Sequence, residues 1–273
     1  MAQRYLTAEA IRAHDLQRRL TPGAQAALVA GFRERLACAG QCLDAGTGTG
    51  DTALLLAQAG IPVVGLDISR AMLRVLATRL GGRASFPLVQ GDLVRLPFAD
   101  ASFGGARVAH VFHLIEDWRV AVAELVRVVR PGGLLLVNPG GSDHSEIGTG
   151  LRRQFETFLG ERIAPAAAAD LRGPSDFDAC LVGHGADILP PLSVRDQQIQ
   201  TIGQMIERLD HNVFAWPGGV ERQRLAQAVA ATRAWATAQV GSLDQAVAIN
   251  RIITYRVYRL PHVAQPASRR ARQ

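Results

Sequence analysis

A short run, Gln41-Cys42-Leu43-Asp44-Ala45, passes directly into Gly46-Thr47-Gly48-Thr49-Gly50 and then into a stretch with helical character over residues 52–58. A strand that becomes a helix through alternating glycines opens a βαβ unit, because glycine allows both the tight turn and a close approach of ligand to backbone. The first amides of the helix that follows have no intrahelical partner and attract a carboxylate or phosphate. The run therefore predicts an α/β fold and an anionic or polar ligand at the turn.

The alternation continues along the chain. Residues 24–36 read as a helix, followed by strands at 62–66, 85–90, 107–112 and 134–137 and helices at 69–80 and 117–129. The turn Arg130-Pro131-Gly132-Gly133 precedes the fifth strand. Strands and helices in this rhythm form a mostly parallel, doubly wound sheet. Beyond Val137 the regularity breaks, with a loop at 138–142, a helix at 151–159 and an Ala- and Pro-rich stretch at 163–174 that reads as an inserted cap. A helix at 176–182, a strand at 188–196, helices at 201–209 and 219–240 and a closing strand at 249–260 restore order.

The expected division is residues 1–38 as N-terminal helices contributing to the cap, including one or two over 5–20, and 39–140 as the ligand-binding core. Residues 141–175 form the cap insertion, 176–260 the C-terminal part of the sheet with further cap helices, and 261–273 a disordered tail. That tail carries Arg269, Arg270 and Arg272 among Pro, Ala, Ser and Gln, with too little apolar area to order itself. With 273 residues and 48% hydrophobic content, one catalytic unit fits better than two independent domains.

The net charge of +6 comes from arginine alone, spread along helix-like stretches, which describes a solvated surface rather than a nucleic-acid footprint. The pairs Arg18-Arg19 and Arg152-Arg153 read first as exposed faces and second as partners for an acidic substrate. Three cysteines make no disulfide framework and no apolar leader follows a basic start, so neither secretion nor membrane insertion is expected and the cytoplasm is the expected compartment. Cys38 and Cys42 lack a matching Cys/His pair and read as packed thiols, so no metal is expected. A homodimer is compatible with this composition.

Three acids stand at successive predicted strand ends: Asp44, Asp67 in Val63-Val64-Gly65-Leu66-Asp67, and Asp92 in Gly91-Asp92-Leu93. A carboxylate at the end of the second strand can accept both hydroxyls of a ribose, and one after the third can accept an exocyclic adenine amine, with Leu93 and Met72 against the ring. Together they outline an adenosine-shaped crevice. A dinucleotide fingerprint would place its third glycine at position 51, where this chain has Asp51, an acid that would face a pyrophosphate with no arginine in the turn to offset it.

Residues 43–50, 63–67, 91–98 and 127–137 in this order resemble the class I S-adenosylmethionine-dependent methyltransferases over about residues 40–140. Gly91-Asp92-Leu93-Val94-Arg95-Leu96-Pro97-Phe98 with Ser102-Phe103, and Arg127-Val128-Val129-Arg130-Pro131-Gly132-Gly133, are similar to the type 11 branch that contains ubiquinone and menaquinone biosynthesis methyltransferases. The resemblance implies a seven-stranded, Rossmann-like sheet whose last strand is antiparallel, with a helical cap. It implies that Asp44 and the loop of Gly46, Thr47 and Gly48 hold the methionine end of the cofactor, Asp67 the ribose, and Asp92 with Leu93 the adenine. Ile68, Met72 and Ala109 complete the expected cofactor-binding set. Where relatives often have two adjacent histidines, this chain reads Ala109-His110-Val111-Phe112-His113-Leu114.

With S-adenosylmethionine as methyl donor, the protein has mainly to position an oxygen, nitrogen or carbon nucleophile of a small molecule, and S-adenosylhomocysteine is the co-product. His110 and His113 are the candidate general bases, with packing or backbone bonding as their competing role. His144, Phe155, Phe158, Met205, His211, Phe214 and Trp216 either line an apolar acceptor pocket or form the cap's own core. Strand four lacks the Asn-Pro-Pro-aromatic run of enzymes that methylate nucleic-acid bases or glutamine, and the chain lacks the cysteine cluster of arsenic methylation. Two other readings stay open: a NAD(P)-dependent oxidoreductase, and an S-adenosylmethionine-binding protein with a regulatory or non-methylating role.

Overall fold

A computed structural model describes residues 19–82, 85–138, 146–161, 171, 173–213 and 220–262. The chain opens with helix α1 (Pro22–Leu36), started by Pro22 at its first position and by Thr21, whose hydroxyl accepts from the Ala24 amide at 3.3 Å. Strand β1 (Cys42–Ala45) is buried along its whole length, as a central parallel strand must be. It leads through the glycine turn into α2 (Asp51–Gln58), then β2 (Val63–Asp67) and α3 (Arg70–Arg79), which is capped by Ser69. Strands β3 (Leu88–Gln90) and β4 (Phe103–Ala109) follow, then a 3-10 turn at Phe112–Leu114, helix α4 (Trp118–Val128) and β5 (Val129–Asn138). The remaining elements are α5 (Glu146–Leu159), α6 (Pro174–Gly183), β6 (Asp187–Thr201), α7 (Ile202–Val213), α8 (Arg222–Val240) and β7 (Ala246–Arg259).

The strands form one seven-stranded sheet in the order β3-β2-β1-β4-β5-β7-β6. Pairing is parallel from β3 through β5, and β7 runs antiparallel to both β5 and β6, so the doubly wound, mostly parallel sheet with an antiparallel last strand is present. The order reverses between β1 and β4, which opens a crevice beyond the carboxyl ends of these two strands.

Two apolar cores flank the sheet. One joins Trp118, Ala121, Val122 and Leu125 of α4 and Phe177 and Leu181 of α6 to the sheet, with Phe177 tilted against Phe112 and edge-on to Trp118 at centroid distances of 4.7 and 5.2 Å. The other joins Leu28, Phe32 and Leu36 of α1 to α2, β2 and Val257. Helix α1 thus lies on the sheet rather than in the cap, since its apolar face finds its burial there. A third, separate core joins Leu151, Phe155 and Leu159 of α5, Ile202, Met205, Ile206 and Leu209 of α7, and Leu225 and Ala228 of α8, the helices expected to form the cap. Phe155 and Met205 belong to this cap core, at 0% and 6% exposure, while Phe158 is 40% exposed.

Several boundaries differ from the sequence reading. The fourth strand runs over 103–109 and not 107–112, because His110 adopts φ +55° and Phe112–Leu114 coil into a 3-10 turn. The third strand starts at Leu88, after Pro87, which has no amide to offer a ladder. The turn at 130–133 is a bulge inside β5, where β4 advances from Phe103 to Gly105 while β5 moves from Val129 to Leu134. Cys42 is buried, with its thiol raised by burial and next by Asp44, but Cys38 is exposed, so only one of the two is a packed thiol. Among the described residues no helix is long and apolar enough to cross a membrane. Residues 5–18, Arg18, His144, Phe214, Trp216, the 163–170 stretch, the side chain of His211 and the tail beyond His262 lie outside the described residues.

Candidate functional site

The glycine turn is built by β1 and β2 together. The amides of Gly46 and Thr47 both donate to the Leu66 carbonyl, at 2.8 and 2.9 Å, which folds the turn back over the end of β2. Gly46 has φ +71°, and a Cβ there would meet Val111 Cγ2 at 2.2 Å, so the segment after β4 packs directly on the turn. Gly48 has φ +56° and faces open space, with no atom within 4 Å of where a Cβ would stand. The backbone is therefore bare on that side, which is the cradle a ligand would fill.

Asp67 stands at the end of β2 beside this cradle. Its Oδ2 accepts from the Gly48 amide and its Oδ1 from the Ser69 amide, each at 2.8 Å. These two main-chain bonds orient the carboxylate at the strand end, where a carboxylate is an acceptor suited to a pair of hydroxyls. Ser69 in turn caps α3 by accepting from the Met72 amide at 3.2 Å. Ile68, between them, is a 42% exposed isoleucine, an apolar surface set against a strand-end carboxylate.

Beyond β3, the Gly91 amide donates to the Asp67 carbonyl at 3.1 Å, which holds the Asp92 segment against β2. Asp92 is exposed, and its Oδ1 accepts from the Val94 amide at 3.1 Å. Leu93 and Met72 differ from the sequence expectation. Leu93 is 4% exposed and part of the apolar core, and Met72 is 8% exposed, so neither presents a wide side-chain surface to a ring. Ile68 is the apolar side chain exposed at this strand end. The downstream segment is pinned by Arg127, which donates to the Leu96 and Phe98 carbonyls and to Glu124 and Asp100. Glu124 closes the clamp by accepting the Leu96 amide at 2.8 Å, and the bond from Arg127 holds its carboxyl below the usual range.

Asp44, which the resemblance assigns to the methionine end, is turned into the protein interior. It is fully buried, its Oδ1 accepts from Arg107 Nη1 at 2.8 Å and its Oδ2 from the Thr47 hydroxyl at 2.6 Å. It holds the turn from behind. Arg107, which the sequence reading used only as a strand residue, lies 5% exposed in the wholly buried β4. Burial lowers its proton affinity, but Tyr255 and Asp44 outweigh this and hold the guanidinium above its usual range. A lone charge in Phe103-Gly104-Gly105-Ala106-Arg107-Val108-Ala109 was the available signal, since a buried charge requires a partner.

Asp51 also reads differently in three dimensions. Arg79 of α3 donates to Asp51 Oδ1 at 2.7 Å and to the Thr49 carbonyl at 3.1 Å. An arginine from outside the turn therefore offsets this acid, and the charge objection to a pyrophosphate loses its force. On the far side of the crevice, Ala109 is buried at the end of β4 and His110 follows in the left-handed region, its amide donating to the Asn138 carbonyl at 3.0 Å. A non-glycine residue in that conformation is strained, and such strain gathers at functional sites. His113 sits half-buried in the 3-10 turn.

The structure thus brings the ends of β1, β2, β3 and β4 to one crevice. Strands about 4.8 Å apart place the three ends carrying Asp44, Asp67 and Asp92 within roughly 10 Å, the span of a nucleoside. Residues 43–137 match the methyltransferase domain family. A demethylmenaquinone methyltransferase from Renibacterium salmoninarum is 39% identical over 95 residues, covering 35% of this chain and 39% of that protein. A ubiquinone/menaquinone biosynthesis C-methyltransferase from Syntrophotalea carbinolica is 37% identical over 131 residues, covering 47% of this chain and 55% of that one. The chain therefore spans about half the length of these curated relatives or less. A solved structure from Anaeromyxobacter dehalogenans, described as a candidate type II methyltransferase, shares the fold at 21% identity and a TM-score of 0.59, covering 89% of this chain and 98% of that one.

Proposed function

We propose that this chain, whose residues 43–137 match the methyltransferase domain family, transfers the methyl group of S-adenosylmethionine to an oxygen, nitrogen or carbon atom of a small molecule. The observation that carries the proposal is Asp67, oriented by the Gly48 and Ser69 amides at the rim of the bare Gly48 backbone. That pairing fits a ribose diol next to a group that needs close contact with main chain. Bound S-adenosylmethionine supplies a methyl group already made electrophilic by its sulfonium.

The chain's own residues then have three tasks. Asp67 accepts the ribose hydroxyls, Ile68 covers one apolar face, and the N-terminal end of α2 meets the carboxylate of the amino-acid end. His110 and His113, on the β4 side of the crevice, stand where a base would take a proton from the acceptor nucleophile. The cap formed by α5, α7 and α8 supplies the apolar surroundings that exclude water from the acceptor. The relatives' names point to menaquinone and ubiquinone synthesis and to carbon methylation, so a quinone-like aromatic carbon belongs among the acceptors to be tried.

The test is incubation of the chain with methyl-labelled S-adenosylmethionine and a panel of phenolic, amine and quinol-type acceptors. Acceptor-dependent transfer of label with matching release of S-adenosylhomocysteine supports the proposal. Tight cofactor binding with no transfer to any acceptor supports a binding protein instead, and oxidation of added NADH by the corresponding quinones supports an oxidoreductase.

A further inference from the structure

The guanidinium of Arg107 touches both ends of the glycine turn at once. Nη1 donates to Asp44, two residues before Gly46, and Nη2 donates at 2.8 Å to the hydroxyl of Thr52, two residues after Gly50. Nη2 and Nε also donate to the Tyr255 hydroxyl on β7, at 3.0 and 3.3 Å, and the cation lies 5.5 Å from the centre of that ring. Asp44 passes the constraint into the turn through its 2.6 Å bond from the Thr47 hydroxyl. Tyr255 is itself fixed, 3% exposed and edge-on to Phe32 at 5.4 Å. A connected chain therefore runs from β7 through Arg107 and Asp44 to Thr47, which stands between Gly46 and Gly48.

We infer that Arg107 is a positioning residue that selects for the amino-acid end of an adenosyl ligand, by stapling the glycine turn from behind and cancelling the charge of Asp44. The inference rests on the functional reading above. It adds a discrimination between ligands that reach the turn and ligands that stop at the ribose. Asp44 is bonded to Thr47 within the turn, and its uncompensated charge would oppose a carboxylate brought to the turn. With Arg107 present the pair is neutral, and the turn keeps the partial positive charge of the start of α2, whose N-cap Gly50 provides no side-chain bond. Adenosine, which has no amino-acid end, engages Asp67 and Ile68 and draws nothing from this arrangement. The planar fork explains why arginine stands here, since one guanidinium serves an acid, a hydroxyl and a phenol in different directions.

The test compares S-adenosylhomocysteine with adenosine by calorimetric titration of the full chain and three variants. Arg107→Met leaves volume but neither charge nor donors, and its S-adenosylhomocysteine affinity is expected to fall by about tenfold or more, ~1.4 kcal/mol, while adenosine affinity stays within about threefold. Arg107→Lys keeps the charge without the fork and is expected to recover part of the loss. Tyr255→Phe removes one hydroxyl and keeps the ring packed on Phe32, so it remains folded if Arg107→Met does not. It is expected to weaken S-adenosylhomocysteine by roughly threefold to tenfold and spare adenosine. Equal losses for both ligands, or no loss for either in folded variants, overturns the inference. Failure of the unaltered chain to bind either ligand overturns the functional reading first, and this inference with it.

Discussion

Replacing Asp67 by alanine removes the carboxylate that the Gly48 and Ser69 amides orient at 2.8 Å each. Two consequences separate in magnitude. In the free protein two amides lose an acceptor at a half-buried position where water can take its place, which costs about 1–2 kcal/mol and lowers the melting temperature by about 2–4 °C for a chain of this size. In the complex the ribose diol also loses two hydrogen bonds to a charged acceptor, each worth about 1.5–3 kcal/mol before water substitutes. A net loss of about 3 kcal/mol in binding follows, or roughly 150-fold in S-adenosylhomocysteine affinity. Calorimetric titration beside a thermal melt reads both quantities on one preparation. A folded Asp67→Ala variant whose affinity lies within threefold of the unaltered chain would refute the ribose assignment.

Two glycines of the same turn separate packing from access. Gly46→Ala sets a Cβ 2.2 Å from Val111 at φ +71° and is expected to cost about 2–4 kcal/mol of stability in urea unfolding, whereas Gly48→Ala, in open space, should cost about 1–2 kcal/mol and instead weaken S-adenosylhomocysteine binding. His113→Ala is expected to lower turnover by about a hundredfold or more with cofactor affinity unchanged, and turnover equal to the unaltered chain removes it as a base. Asp196, buried on β6, accepts from the Thr21 amide and hydroxyl and from Arg251; burial raises its carboxyl, but these bonds prevail and hold it below its usual range. A depressed carboxyl stabilises the fold above its unfolded pKa and loses that stabilisation as pH falls through the folded value. Thermal melts of the unaltered chain should therefore drop below pH ~4, and Asp196→Asn should be less stable at neutral pH with a flatter acid limb.

The parallel half of the fold was legible because its strands are short apolar runs closed by glycine, proline or acid, and each helix between them has a helical apolar spacing. The β1–turn–α2 unit and the strand-end acids Asp67 and Asp92 lie where the pattern placed them, since that geometry depends on local backbone and strand order. What the pattern could not show depends on contacts between distant residues. Arg107 meets Tyr255 across 148 positions, Arg79 reaches back to Asp51, and Asp44 turns inward to Thr47. The end of β4 was misplaced because Arg107, Val108, Ala109, His110 and Val111 read as one alternating strand, and only the packing of Val111 on Gly46 and the left-handed turn at His110 stop it at Ala109. Leu93 was read as a surface for the ligand because the position suits one, whereas Leu96, Phe103 and their neighbours take it into the core.

The central claim is that the crevice over β1, β2 and β4 binds an adenosyl sulfonium ligand. Side-by-side calorimetric titration of the unaltered chain with S-adenosylmethionine, S-adenosylhomocysteine and NADH tests it most directly. Micromolar binding of the two adenosyl ligands with none for NADH is the expected result. Binding of NADH alone, or of none of the three, would contradict it.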